Sequence, residues 1–195
     1  MVAQNSSDQV ISRMELLVPL SPAFKIAFCE LLNESYVQKG RFLLNEDELP
    51  GKIWYSVDSI CREISAHPQT GMDQTSWFWF NGDFIFSGTG FCGQRRSRHA
   101  IEVLKDGHVL FLHKENYLRL KADFAELTDL EKVVTGEYFE AIKLHSLSLA
   151  SLSNQARYDA FVELHQDALL YVNHKHVTSF LGIHSKGLTR YSSRR

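Results

Sequence analysis

Apolar positions along the chain fall into three rhythms, and each predicts a different kind of element. Near the start a weak helical signal runs from about Ile11 to Leu17. A clearer one follows: Ser21-Pro22 offers a capping hydroxyl and a proline for a first helical turn. Phe24, Phe28, Leu31 and Leu32 then recur at helical spacing up to about Asn33. From Glu34 to Leu112 the rhythm shortens. Runs rich in Val, Ile, Phe, Tyr and Trp are broken by turn residues: Gly40, Leu49-Pro50-Gly51, the HPQTGMD stretch and Asn81-Gly82-Asp83. The expected strands are roughly 35–38, 41–45, 52–57, 60–65, 75–80, 83–87, 98–104 and 108–112. The gaps between them are too short for crossover helices, so the pattern predicts an antiparallel double-stranded β-roll, or jelly roll, rather than a parallel sheet.

After Leu112 the spacing becomes helical and stays so. His113 to Leu120 predicts a short helix, and Thr128 is placed to cap a long one running to about Ser153. Leu130, Val134, Tyr138, Ala141, His145, Leu149 and Leu152 recur every three or four residues along it, a heptad-like stripe. About 25 residues make a rod of ~37 Å, longer than a small β-roll covers, so this stripe is expected to pair with a second copy. The alternative is a helix packed on its own domain. Gln155 to Leu170 predicts a further helix, and Lys175 to Arg190 two short ones broken at Leu181-Gly182-Ile183, where Gly182 suits a tight turn between crossed helices. The expected class is α+β: residues 1–125 a β-roll, 126–153 a long dimerisation helix, and 154–195 a helix-turn-helix domain.

Charge sharpens this division. The whole chain is close to neutral, net −2 over 195 residues, which excludes a wholly basic nucleic-acid coat. Residues 1–155 carry 15 Lys and Arg against 20 Asp and Glu, but residues 156–195 carry 6 against 3. From Ala168 to Arg195 there is no acidic residue, against five Lys or Arg and three His. A basic terminal segment on an acidic body is the electrostatic signature of a polyanion contact.

Other chemistries find little support. Cys29, Cys61 and Cys92 stand about thirty residues apart with no Cys-x-x-Cys pair, which predicts reduced, buried thiols of a cytoplasmic protein and no metal or iron–sulfur site. The polar N-terminus has no signal-peptide core, and no apolar run approaches a membrane span. A cupin-type metal site needs His-x-His on a strand. The pair His174-x-His176 lies instead in the helical tail. Neither a nucleophile–base arrangement nor a phosphate-binding glycine loop is legible, so the chain is not expected to be an enzyme. Arg95, Arg96 and Arg98, beside His99, are close enough to hold an anion by bidentate contacts, or simply to form a solvated loop.

In order, these parts resemble the Crp/Fnr superfamily of transcription regulators, in the form of a short, wingless subgroup. Three stretches carry the resemblance: Gly40-x-x-Leu43 through Lys52-Ile-Trp-Tyr-Ser-Val; TSWFWFNGDFIFS, residues 75–87; and ARYDAF from Ala156 with HVTSFLGIHSKGLTR, residues 176–190. It implies a cyclic-nucleotide-binding-like roll, a homodimer and double-stranded DNA as partner, with RNA polymerase as a further partner and no membrane. Nucleotide-binding members follow the Gly-Asp-Phe-Ile turn with Gly-Glu and later place an Arg-Ser pair on the cyclic phosphate. Here Phe86 and Ser87 stand at the first place and Arg96-Ser97 near the second, one residue out of register. No cofactor is implied and cyclic AMP is not expected. Ser87, Arg95, Arg96, Ser97 and Arg98 remain as a pocket for another small anionic effector, with Phe86 and Trp79 as side chains able to fill the cavity.

The resemblance also assigns the DNA contacts. Val177, Phe180, Leu181, Ile183 and Leu188 would pack the two crossed helices, and His184-Ser185 would cap the second. Ser185, Lys186 and Arg190 match the base-reading places, with Thr189 on the same face. Lys175, Thr178, Tyr191, Arg194 and Arg195 are expected at phosphates. The alternative function is a ligand-binding or scaffold protein of this architecture that has lost DNA readout.

Overall fold

A computed structural model describes residues 2–66, 71–88, 95–166 and 168–183. Two helices, α1 (Gln4–Glu15) and α2 (Pro22–Leu31), precede eight strands. These are β1 (Asn33–Val37), β2 (Phe42–Leu44), β3 (Lys52–Ser56), β4 (Ile60–Ala66), β5 (Asp73–Trp79), β6 (Phe84–Ile85), β7 (Ala100–Lys105) and β8 (Gly107–His113). Then come α3 (Lys114–Asp123), α4 (Ala125–Ser151), α5 (Asn154–Leu164), α6 (Ala168–Tyr171) and α7 (His174–Phe180). The strands form two antiparallel four-stranded sheets, ordered β1-β8-β3-β6 and β2-β7-β4-β5. The α+β roll expected from the sequence is thus what folds.

Strand alternation decides what each sheet face meets. On β7, Ile101 and Val103 point into the roll with Trp54, Cys61, Trp79 and Ile85. Leu104 points outward and, with Ile60 and Phe78, joins Tyr158, Phe161 and Val177 of the C-terminal helices. The second sheet therefore carries apolar side chains on both faces, and the apolar part of its outer face is covered by the chain's own C-terminal helices. A third cluster lies against the first sheet, where Val10, Met14, Phe24 and Phe28 of α1 and α2 pack with Leu110, Tyr117, Leu120 and Leu127. The turn before β8 is tight: a Cβ on Gly107 would lie 2.5 Å from Asp58 Oδ1 and 2.8 Å from the Ser59 nitrogen.

Helix ends depart from expectation for identifiable reasons. The first helix begins at Gln4 rather than Ile11, because its polar start is tied down. The Ser6 hydroxyl and the Ala3 N–H each donate to the Glu34 carboxylate, at 2.7 Å. Ser21 does cap α2, accepting from the Phe24 N–H at 3.2 Å. Thr128 does not cap the long helix, which starts three residues earlier. There Phe124 sits at the cap position with no capping side chain and sets its ring edge-on to Phe24, centroids 5.6 Å apart, an apolar anchor in place of a polar one. Ser153 caps the next helix, accepting from the Ala156 N–H. Of the cysteines, Cys61 is buried as expected but Cys29 is exposed; Cys92 lies outside the described residues.

Candidate nucleic-acid interface and effector site

The C-terminal domain is built around one corner. Asn173 caps α7, its side chain accepting from the Lys175 N–H at 3.0 Å. The helix ends at Leu181, and Gly182 follows with φ +61°, a left-handed turn that a side chain would resist. A Cβ there would also meet the Leu149 side chain at 3.3 Å. Val177, Leu181 and Ile183 are all buried, against Phe161 and Val162 of α5. The corner is held by Arg157, a buried guanidinium with no carboxylate on it among the described residues. It donates to the Leu181 carbonyl at 2.8 Å, the Leu152 carbonyl at 2.6 Å and Asn154 Oδ1 at 2.7 Å. Leu152 closes the long helix and Leu181 closes α7, so one cation satisfies the orphan carbonyls of two helix C-termini, where the helix dipoles favour positive charge. Sequence reasoning passed Arg157 over, since its acceptors are mainly backbone atoms, which leave no pattern.

Of the expected DNA contacts, Lys175 is exposed. Thr178 is not free to meet a phosphate here: it is 4% exposed, and its hydroxyl donates to the His174 and Lys175 carbonyls. This corrects the expectation, which placed Thr178 by position along the helix and took no account of the sheet beneath it. His184, Ser185, Lys186, Leu188, Thr189, Arg190, Tyr191, Arg194 and Arg195 lie outside the described residues.

In the roll, the candidate anion pocket does not converge. Ser87 and Ser97 are both 2% exposed and hydrogen-bond each other, Oγ to Oγ, at 3.0 Å. Ser97 also donates to the His99 carbonyl at 2.7 Å. Arg95, Arg96 and Arg98 are exposed, and Arg96 turns away to donate to the Asp47 carbonyl at 2.6 Å. Phe86 packs instead on Tyr138 of the long helix, rings edge-on at 5.2 Å, and Tyr138 in turn meets Trp77 at 5.5 Å. Burial and the nearby Glu63 carboxylate push the Tyr138 hydroxyl far above its ordinary value, so it stays neutral. Trp79 is buried in the roll interior. The space left nearby is apolar, a cavity of about 70 Å³ between β3, β6 and α4, lined by Trp54, Phe84, Phe86, Leu127, Leu130 and Val134.

The long helix also differs from expectation. The predicted stripe turns inward onto its own chain: Leu130 is buried, Val134 packs on the same cluster, Tyr138 meets Trp77, and His145 stacks on Phe180. Ala141 is half-buried, while Leu149 and Leu152 are 40% and 44% exposed. A second apolar set faces solvent on the far side, with Phe139, Leu144 and Leu147 between 55% and 63% exposed. The sequence carries both stripes, and the inward one has the stronger periodicity.

The seam between roll and C-terminal domain holds a cluster that sequence reasoning also missed. Arg62 and Glu102 project from the outer sheet face and pair at 2.6 Å, and Arg62 donates to Thr75 Oγ1 at 3.1 Å. The Thr75 N–H, on the edge strand β5, donates to the Ser179 hydroxyl of α7 at 3.0 Å. Lys39 donates to the Tyr171 carbonyl at 3.2 Å, and the Lys105 ammonium lies 4.8 Å from the Tyr171 ring centre. Three histidines line the same seam. His145 lies flat on Phe180, centroids 3.9 Å apart, and bonds its carbonyl at 3.1 Å. His165 lies flat on Phe80 at 3.8 Å. His176 is buried under α7. Burial lowers all three. Arg157 adds to it at His145 against the Phe180 carbonyl, and Arg62, Lys175 and Lys39 outweigh Glu102 at His176, which is pushed down to about 4.

No helix among the described residues is long and apolar enough to cross a membrane. No protein-family model and no curated protein matches the chain. Solved structures do. FixK2 from Bradyrhizobium japonicum is similar over 84% of this chain and 83% of its own, at TM-score 0.71 and 19% identity. A protein of Eubacterium rectale described as a transcriptional regulator of the crp/fnr family is similar over 91% and 86%, at TM-score 0.70 and 18% identity. The c-di-GMP-responsive global regulator CLP of Xanthomonas campestris is similar over 89% and 91%, at TM-score 0.69 and 10% identity. At these identities the likeness establishes the fold alone: over its described residues this chain has the architecture of Crp/Fnr regulators, a β-roll joined by a long helix to a C-terminal helical domain.

Proposed function

We propose that the chain is a homodimeric, sequence-specific DNA-binding transcription regulator of Crp/Fnr type that does not respond to cyclic AMP. The observation that carries the reading is the corner at Gly182. A capped helix ends on a left-handed glycine, is clipped to the long helix by Arg157, and leads into a segment bearing Lys186, Arg190, Arg194 and Arg195 and no acidic residue. In this reading Ser185, Lys186, Thr189 and Arg190 meet base edges, and Lys175, Tyr191, Arg194 and Arg195 meet phosphates. The second copy pairs through the exposed side of α4 at Phe139, Leu144 and Leu147, an apolar face that water disfavours. Cyclic AMP is refused because position 87 carries a serine in place of a carboxylate and its hydroxyl is engaged by Ser97. RNA polymerase is the further partner the role calls for.

The test is fluorescence anisotropy on DNA from upstream of the protein's own coding region. Binding is expected to weaken steeply with salt, and Lys186→Ala with Arg190→Ala is expected to reduce affinity at least tenfold. Sedimentation of Phe139→Glu with Leu147→Glu is expected to give a monomer. A double Lys/Arg variant that binds as tightly as the unmodified protein overturns DNA reading in favour of a scaffold role. A Phe139/Leu147 variant that remains dimeric overturns the proposed interface.

A further inference from the structure

The packing of α7 on the roll has an unusual composition for a domain seam. The edge of β5 is closed by the Ser179 hydroxyl, where a free strand edge would otherwise be exposed. Around that bond stand neutral histidines among fixed cations. Arg62 on β4, Lys39 in the β1–β2 turn and Lys175 on α7 itself oppose a charge on His176, and Glu102 on β7 is the one carboxylate among the groups acting on it. His145 on α4 has Phe180 on its flat face and Trp77 at its edge, and Arg157 on α5 as the charge acting on it. His165 lies between two grooves, one lined by Asp83, Lys105 and Glu163 and the other by Arg13 and Glu137.

We propose that this seam is a proton-operated latch: neutral His145 and His176 hold the helix-turn-helix domain against the outer face of the roll, and protonating them releases it. A histidinium at 176 would be a cation buried beside Arg62 and between two lysines, with Glu102 already engaged by Arg62. A histidinium at 145 would be a half-buried cation opposed by Arg157. The charged rings are accommodated only when the seam opens to water. Opening frees the Thr75 N–H and the face of α7, and it lets the domain reorient about the corner that Arg157 still holds. The inference rests on the seam alone and stands whether or not the domain reads DNA.

The sign follows from proton counting. The closed state binds fewer protons than the open one, because its histidines titrate lower, so closure is complete at neutral pH and lost as pH falls below the ordinary histidine value. With His176 at about 4 in the closed state and about 6.5 once exposed, the closing equilibrium falls about tenfold between pH 7.5 and pH 5.5. His145 adds to this.

The test is hydrogen exchange of the intact chain, corrected for the intrinsic pH dependence. Protection of the Thr75 amide is expected to fall about tenfold or more over that interval, while the Val103 amide, bonded to the Arg41 carbonyl inside the roll, keeps its protection. In the His145→Gln, His176→Gln double variant, Thr75 protection is expected to be the same at both pH values. Unchanged protection in the unmodified protein overturns the latch, and so does an equal fall in the double variant. If the double variant is open at both pH values, the ring resonances of His145 and His176 in the unmodified protein decide. Midpoints that coincide with seam opening support the latch, and midpoints displaced from it overturn it.

Discussion

Replacing Arg157 tests the reasoning about the corner most directly. Arg157→Met keeps much of the side chain's apolar length and removes its five donors. The lost contacts are three short bonds, to the Leu152 carbonyl, Asn154 Oδ1 and the Leu181 carbonyl at 2.6–2.8 Å, and two long ones, to Leu149 and Gly182 at 3.4–3.5 Å. Bonds from a charged donor contribute about 1.5–3 kcal/mol each. The buried cation gives back part of this in desolvation, because no carboxylate neutralises it. Counting the three short bonds at the low end and subtracting that penalty leaves a net destabilisation of about 3 kcal/mol. With a urea m-value of about 2 kcal/mol/M, the unfolding midpoint should fall by about 1.5 M. Arg157→Lys restores one bond at most and should recover about a third of the loss. The assay is a urea titration at fixed protein concentration, followed by circular dichroism and by protection of the Leu181 amide. A fall below about 0.5 M in Arg157→Met, or full rescue by lysine, would refute the claim that a forked donor ties two helix ends together.

Two further perturbations separate packing from chemistry. Gly107→Ala places a methyl within 2.9 Å of three backbone and side-chain atoms of Asp58 and Ser59. It should destabilise the roll by about 2 kcal/mol or more, read as a lowered midpoint of thermal unfolding; a change under 0.5 kcal/mol would mean that the turn yields freely. Cys61 is buried and its thiol pushed up to about 12 by burial, against a weaker opposing bond from Ser59, while Cys29 is exposed. A thiol reagent at pH 8 should therefore label Cys29 in the folded protein and Cys61 only after denaturation, and mapping the labelled peptides by mass spectrometry reads the outcome.

How far the fold could be read from the sequence depended on whether a residue's partners leave a periodic trace. The run Trp77-Phe78-Trp79-Phe80 has no polar alternation, which is the mark of a strand covered on both faces. Read that way, it announces that something packs on the outside of the second sheet, and the C-terminal helices are what does. The stripe from Leu130 to Leu152 was equally legible as apolar, but periodicity names a side of a helix and not the surface it meets. Its inward rings, Tyr138 and His145, find Trp77 and Phe180 of the same chain. That leaves the less regular set at Phe139, Leu144 and Leu147 exposed. Arg157 and the pair Arg62–Glu102 were illegible because their acceptors lie 3 to 40 residues away and, for Arg157, are mainly backbone carbonyls.

The roll's candidate effector site shows how one substitution entails another. In nucleotide-binding proteins that this roll resembles, a carboxylate stands at the position of Ser87, and an Arg-Ser pair stands one residue out of register with Arg96-Ser97. With serine at 87, two hydroxyls face each other in a buried place at 3.0 Å, and Ser97 also donates to the His99 carbonyl at 2.7 Å. A buried hydroxyl without a partner is costly, by about 1–3 kcal/mol, so the pair closes, Ser97 passes its proton to the His99 carbonyl, and the chain from 95 to 98 is drawn in with it. The guanidinium groups on either side cannot follow into that dry space, and Arg96 takes the Asp47 carbonyl at the surface instead. The three arginines are thus near one another in sequence and all exposed. Any ligand of this roll must either prise apart the two serines or enter elsewhere, through the apolar cavity under α4.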